Sequence, residues 1–431
     1  MCLSFRVLVV AEAANPEWTS VPLVGWSHYK AISEVVDVHL VTQVRNRLAI
    51  VATGLKEGID FTAIDTEVLA APLYKLARLL RGGTDRAWTI DTAIASLSYY
   101  YFEFLVWRKF FKSKSNVKYD LVHRITPLSP TTPSFLAKRL RSISIPFIVG
   151  PLNGGVPWPK EFYSAQTKEG EWLSSVRTLH KLLPGYRGTR EYASAIIVGS
   201  KDTWYQYADK YKNKLIYVPE NAVDAKRFGK VKERQNTILK AAFVGRLVPY
   251  KGCEMLISAI EPFVKNGSIT LDIFGDGPER IALENQVKET GIQSGVRFYG
   301  FVKNSELQDF LVQSDIFVFP SIREFGGGVV LEAMALGLVP IVVDYGGPCE
   351  LVNESCGYLV QLGPREKIVR QLSVVLEAII KDPTRLKEMS LNCRERVKNY
   401  FTWEAKAKQT KKIYDWVIGK NQDKPDFGMP F

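Results

Sequence analysis

The sequence predicts an α/β protein of two domains, each a parallel sheet with helices on both faces. Three observations carry this. Short apolar runs at residues 195–198, 316–319 and 339–343, and largely apolar ones at 5–10, 145–150 and 269–274, have the length and composition of buried strands. Helical patterns and glycine-marked turns alternate with them, as in a sheet whose crossovers are helices. The chain of 431 residues is long enough for two to three cores. A charge-dense stretch near its middle reads as a linker.

Composition agrees with a globular protein, at 46% apolar and 24% charged residues. The charge-free stretch 142–159 is broken by four prolines and three glycines, so no membrane-spanning helix is expected. Residues 2–11 are too short for a signal peptide, and Glu12 and Glu17 follow without a cleavage-type site; they read as the first strand. Five cysteines, odd in number and without metal-ligand spacing, suit a reducing, cytoplasmic location. The net charge of +12 is uneven: residues 1–220 hold 28 Lys/Arg against 19 Asp/Glu, and residues 221–431 hold 29 against 26. A basic N-terminal half favours an anionic membrane face or a phosphate-bearing substrate. No helix-turn-helix, zinc-finger or RNP signature accompanies it, which sets nucleic acid aside as a partner.

In chain order, strand 5–10 runs into a long loop through residue 26. Ligands of open α/β sheets sit at such carboxyl ends. Gly25 is the only glycine of this loop, and Trp18 and Trp26 form either an aromatic shelf for a sugar or part of the core. A second strand follows at 36–42. Residues 69–80 are apolar with Lys75, Arg78 and Arg81 at helical spacing. The segment 98–114 mixes aromatics and aliphatics with four cations in 17 residues. It is either an interfacial amphipathic helix or a core helix with a solvated basic end. Residues 120–125 form a strand that places His123 at its end, where a lone histidine is as often structural as functional. Strand 145–150 leads into a Gly/Pro-punctuated loop carrying Asn153, which cannot be helical. Strands 195–198 and 216–218 complete the first half.

Residues 219–234 read as the interdomain linker, and strand 239–243 opens the second half. The next turn carries Gly245, Arg246 and Lys251 before a helix starting at 255. A guanidinium and an ammonium at a strand-to-helix turn suit a diphosphate, one as a fork and the other as a point charge. Strand 269–274 and its glycine turn, then strand 296–298 and the Gly300-Phe301-Val302 loop, repeat the pattern. Strand 316–319 ends at Pro320-Ser321. Glu324, Phe325 and the side-chain-free Gly326, Gly327 and Gly328 follow, and then a helix at 329–336 that contains Val329 and Glu332. A glycine loop at a helix start lets an anion approach free N–H groups and the positive dipole end. A carboxylate accepts two hydroxyls at once, as in the vicinal diol of a ribose or hexose. Glu332 interrupts an apolar helix face, where an unpartnered carboxylate is costly. Residues 402–417 form a closing helix and 421–431 a tail.

Glu324-x7-Glu332 after a strand ending in Pro-Ser, Ala-Met-Ala-Leu-Gly-Leu, Gly-Gly-Pro-x-Glu350 and Gly245-Arg246 with Lys251-Gly resemble the retaining GT-B glycosyltransferases of the glycogen-synthase-like group (glycosyltransferase family 4, group 1). The resemblance covers nearly the whole chain, most specifically 240–350. It implies two Rossmann-like domains facing a cleft: an acceptor-side domain at 1–222, a nucleotide-sugar domain at 223–400, and a crossover helix and tail at 401–431. It implies transfer of a hexose-type sugar from a nucleotide-diphospho-sugar to a glycan or lipid-linked acceptor, with retention and with neither metal nor cofactor. Arg246 and Lys251 would face the diphosphate, Glu324 the donor hexose, Glu332 the ribose, and Phe301-Val302 the base. His123 would lie near the donor sugar, although the family's His-x-His form is incomplete because Ile125 occupies the second position. Trp18, Gly25, Trp26 and Asn153 would line the acceptor side. An epimerase or phosphorylase on the same fold, or a sugar-nucleotide-binding protein without turnover, are the alternatives.

Overall fold

The computed structural model of the protein describes residues 5–68, 88–112, 118–154, 156–162, 181–225, 227–228 and 238–428. The expected helix at 69–80 and, of the charge-dense linker, residues 226 and 229–234 lie outside the described residues. The first sheet has seven parallel strands in the order β3-β2-β1-β4-β5-β6-β7. They are β1 Arg6–Ala11, β2 Asp37–Gln43, β3 Phe61–Ile64, β4 Leu121–Thr126, β5 Phe147–Leu152, β6 Ala195–Val198 and β7 Leu215–Tyr217. The second has six parallel strands in the order β10-β9-β8-β11-β12-β13. They are β8 Leu239–Val244, β9 Ile269–Phe274, β10 Val296–Gly300, β11 Ile316–Phe319, β12 Val339–Val343 and β13 Tyr358–Val360. The central strands β4, β5, β6, β11 and β12 are buried at every position; all but β4, which buries His123 and Arg124, are apolar throughout or nearly so.

The helices of the first half are α1 Val21–Ser33, α2 Arg47–Ala52, α3 Trp88–Phe110, α4 Leu136–Arg141, α5 Tyr186–Tyr192 and α6 Lys201–Tyr211. Those of the second half are α7 Cys253–Lys265, α8 Arg280–Glu289, α9 Asn304–Leu311, α10 Gly328–Ala335, α11 Gly347–Leu351, α12 Arg365–Lys381, α13 Arg385–Arg396 and α14 Trp403–Val417. Helix α1 starts inside the segment expected as loop, because Pro22 sits in its first turn, where a missing N–H costs nothing.

Helix α3 carries the basic aromatic segment. Tyr99, Phe102, Val106 and, just past its end, Phe111 are buried in the first-domain core, while Phe104, Arg108, Lys109 and Lys112 are exposed. It is a core helix with a solvated basic end. Its buried Glu103 is explained by a long-range cap. The carboxylate accepts from Ser134 Oγ (2.5 Å), Phe135 N–H (2.6 Å) and Tyr99 OH (3.0 Å), satisfying donors ahead of the first turn of α4. No described helix is long and apolar enough to cross a membrane.

The closing helix α14 returns to the first domain and packs on α1, burying Ile413 and Tyr414 among β-sheet side chains of that domain. Burying the Ile413 side chain alone contributes about 1.5–3 kcal/mol. Where α14 begins, Val223 of the interdomain connection bonds to both neighbours of Thr402, accepting from Trp403 N–H (3.2 Å) and donating to Phe401 O (2.8 Å). The two chain crossings between the domains are therefore tied together.

Candidate active site

Both sheets reverse their strand order, between β1 and β4 in one and between β8 and β11 in the other. Loops leaving the carboxyl ends of those strand pairs diverge and open a crevice, the usual ligand position in such folds. Gly245, Arg246 and Lys251 lie after β8, and Glu324 to Val329 lie after β11. Sequence positions about eighty apart thus meet at one switch point.

After β8 a single 3₁₀ turn, Pro249–Lys251, is closed by Gly252 at φ 72°. A Cβ there would fall 2.4 Å from Pro320 O, so both backbone angle and contact demand glycine. This clamps the turn to the end of β11 and brings Lys251 Nζ into an ion pair with the Glu324 carboxylate. The ammonium also lies 5.1 Å from the Phe319 ring centroid and 5.6 Å from that of Tyr250. Arg246 is exposed on the same turn. Helix α10 starts at Gly328 behind Gly327, a left-handed cap at φ 62°, and no side chain caps it. Its dipole and first amides therefore favour an anion. Glu332 is half-buried on α10, and Phe325 is half-exposed. Phe301 after β10 stands largely exposed, and Val302 packs against the second-domain core.

The first domain meets this crevice at Asn153, after β5. Its Nδ2 donates to Glu220 Oε1 (2.8 Å) and to Phe325 O (3.3 Å). The Trp158 ring lies 6.0 Å from Tyr250, edge-on, and the Arg323 guanidinium is 4.9 Å from Trp158 and 5.2 Å from Phe325. Tyr345 OH donates to Pro157 O (2.6 Å). Glu350 on α11 accepts from Lys201 N–H at the start of α6 (2.9 Å) and from Tyr217 OH (2.5 Å). The domains therefore touch across the cleft through specific polar contacts.

Three expected site residues are placed elsewhere. His123 lies inside β4, not at its end, and is fully buried. Nε2–H donates to Gly150 O (2.8 Å) and Nδ1 accepts from Tyr414 OH (2.7 Å). Burial lowers its pKa to about 4, keeping it neutral. Its ring joins β4, β5 and α14, so both nitrogens are used in the core. Trp26 packs with Tyr29 (5.6 Å) against the first-domain core, so it is not part of a shelf. Gly25 is buried on α1, and a Cβ there would fall 2.2 Å from Ala13 O, a packing role. Trp18 is 44% exposed on the β1–α1 loop.

Four buried residues where the domains meet had no site role in the sequence analysis, although Glu350 appeared there in the Gly-Gly-Pro-x-Glu motif. Glu220 sits in the first interdomain connection, Lys406 in α14, and Tyr217 and Glu350 face each other across the interface. Burial pushes the Glu350 carboxyl up to about 7 and brings the Lys406 ammonium down to about 7; it also raises Glu220. One signal was legible. Thr402, Ala405, Gln409, Thr410 and Ile413 mark the inward face of α14, and Lys406 falls on that face at i+4 from Thr402.

The comparisons with known proteins agree with this geometry. Residues 224–399 match the family "Glycosyl transferases group 1". The matched residues are those of the second domain and include Arg246, Lys251, Glu324, the glycine loop and Glu332. Among curated relatives, the gpi3 subunit of phosphatidylinositol N-acetylglucosaminyltransferase from Schizosaccharomyces pombe is 28% identical over 210 residues, 48% of this chain and 45% of that protein. Glycogen synthase of Mycobacterium tuberculosis is 30% identical over 202 residues, 46% and 48% respectively. The chain spans about half the length of the curated relatives it matches. Among solved structures, Anabaena Alr3699/HepE in complex with UDP superposes with a TM-score of 0.61 at 14% identity, covering 95% of this chain and 99% of that one. WaaG, a glycosyltransferase involved in lipopolysaccharide biosynthesis, gives 0.54 at 13% identity, covering 96% and 100%. At such identities the likeness is one of fold, and that fold is GT-B.

Proposed function

We propose that the chain is a glycosyltransferase that moves a hexose-type sugar, with retention, from a nucleotide-diphospho-sugar to a glycan or lipid-linked acceptor. The observation that carries this is the Lys251–Glu324 ion pair beside an uncapped glycine helix start, at the switch point of the second domain. A diphosphate entering there competes with Glu324 for Lys251, and Arg246 and the amides of 326–328 add fixed positive potential where leaving-group charge grows. Glu324, released from the ammonium, is free to accept donor-sugar hydroxyls, and Glu332 those of the ribose. Phe301 and Val302 flank the base, and Gly245 and Phe325 shape the pocket wall. Asn153 and Trp18 face the acceptor. The division at 222/223 and 400/401 follows the two chain crossings.

In this reading catalysis without metal or cofactor rests on those cations. Relatives named for phosphatidylinositol, 2-deoxystreptamine and glycogen support a hexose donor and leave the acceptor class broad. The exposed Phe104, Arg108, Lys109 and Lys112 of the α3 segment, with the basic first half, support cytoplasmic work at the periphery of an anionic membrane.

A thermal-shift screen of UDP-, GDP- and ADP-sugars tests the donor class. A ligand at 100 times its Kd adds about 2.7 kcal/mol, and mass spectrometry of released nucleotide then identifies turnover. No shift and no hydrolysis with any of them would exclude this function.

A further inference from the structure

Two charged atoms where the domains meet have no hydrogen-bond partner among the described residues: Glu220 Oε2 and Lys406 Nζ. Both side chains are buried, at 5% and 1% exposure. Glu220 lies on one chain crossing between the domains and Lys406 on the other. Burying a charge without a partner is costly, so a purely structural role would be served better by an apolar pair. Two glycines, one from each domain, make room for the carboxylate. A Cβ on Gly199 would fall 2.3 Å from Oε2, and one on Gly326 would fall 2.6 Å from Oε1. Oε1 also accepts from Asn153 Nδ2, and the same amide donates to Phe325 O.

We propose that Glu220 is a positioning residue for the donor loop, with Lys406 as its buried counter-charge: it holds Asn153 on the Phe325 carbonyl and so sets the 325–326 peptide. The carbonyl and N–H of one trans peptide point in opposite directions. Fixing Phe325 O on Asn153 therefore fixes the direction of the Gly326 N–H at the anion-binding helix start. Burial raises the Glu220 carboxyl and the field of Lys406 offsets part of that rise; in either protonation form the carboxyl keeps an oxygen that accepts from Asn153. The crossover helix thereby acts on the donor loop through one carboxylate and one amide. This rests on the function proposed above.

Removing one charge alone leaves the other buried, so the test uses double variants that remove both. In Glu220→Gln/Lys406→Met the amide oxygen still accepts from Asn153; in Glu220→Ala/Lys406→Met nothing does. The alanine pair should lose about 10–10²-fold in kcat with donor KM changed less than about threefold, the scale of a misplaced reacting group, while the glutamine pair recovers most of it. Both should melt alike. Equal kcat in the two double variants would overturn the proposal. The Gly326 amide resonance gives a reading independent of turnover: it should shift in the alanine pair and keep its wild-type position in the glutamine pair, and an unshifted amide in both would overturn the proposal. A wild type inactive on every nucleotide-sugar would instead refute the proposed function, leaving the amide comparison to decide this one.

Discussion

Glu350 makes the domain interface sensitive to pH. Its carboxylate accepts from Lys201 N–H and Tyr217 OH of the first domain, and burial pushes it up to about 7 from an ordinary value of 4.5. Between those values the native protein holds a proton that the unfolded chain has released. Stability therefore falls as pH rises from about 4.5 to about 7 and levels off above. The gap, at about 1.4 kcal/mol for each pH unit, amounts to about 3 kcal/mol. Glu350→Gln removes the titration and loses one of two accepting oxygens, an offset that is the same at every pH. Calorimetric unfolding of both proteins between pH 5 and 8 should show the wild type losing about 2.5 kcal/mol more than the variant across that range. The raised carboxyls Glu12 and Glu103 are common to both and cancel in the comparison, whereas Glu220, whose charge adds to the Glu350 shift, titrates together with it. Parallel stability curves would mean that Glu350 is ionised throughout and would refute its assignment as the interface titrator.

Three further outcomes follow from the site. Arg246→Ala and Lys251→Ala should each lower nucleotide-sugar turnover by about 10²–10³-fold, and Arg246→Lys should recover only part because an ammonium lacks the fork. Turnover should persist in EDTA, and a loss reversed by Mg²⁺ or Mn²⁺ would place the phosphate charge on a metal instead. Glu332→Gln should weaken free nucleotide diphosphate by about 1.5–3 kcal/mol in calorimetry while Glu324→Gln spares it and impairs transfer; equal loss in both would refute the division between ribose and hexose. At the first domain, anionic vesicles should sediment the protein and neutral ones should not. Arg108→Ala/Lys109→Ala/Lys112→Ala should weaken that binding by about 1 kcal/mol per charge, and salt-insensitive recovery in the supernatant with both lipids would end the membrane role.

Much of this architecture was legible in the chain itself. Strands β6, β11 and β12 coincide with apolar runs at 195–198, 316–319 and 339–343, because a strand covered on both faces needs apolar side chains at every position. Helix α10 differs by one residue from the pattern at 329–336, since glycines bound it at both ends. The short edge strands β3 and β13 escaped notice because three or four residues carry too little periodicity. Candidate donor-loop residues were recognisable because a glycine loop, two cations and two carboxylates cluster near two strand ends.

What only the tertiary structure decided is which groups meet across distance. Gly252 against Pro320 brings Lys251 to Glu324, and the β8–β11 switch point makes their two loops neighbours. Glu103 finds its donors Ser134 and Phe135 only when α3 packs against the start of α4. His123 reads as a cleft residue until Gly150 and Tyr414 take both of its nitrogens. Glu220, Lys406 and Glu350 lie far apart in sequence and acquire shifted proton affinities only when the two domains and the crossover helix bury them together. Periodicity reports which face of an element avoids water; a hydrogen bond or a charge–charge term depends on a distance that forms only when separate elements pack.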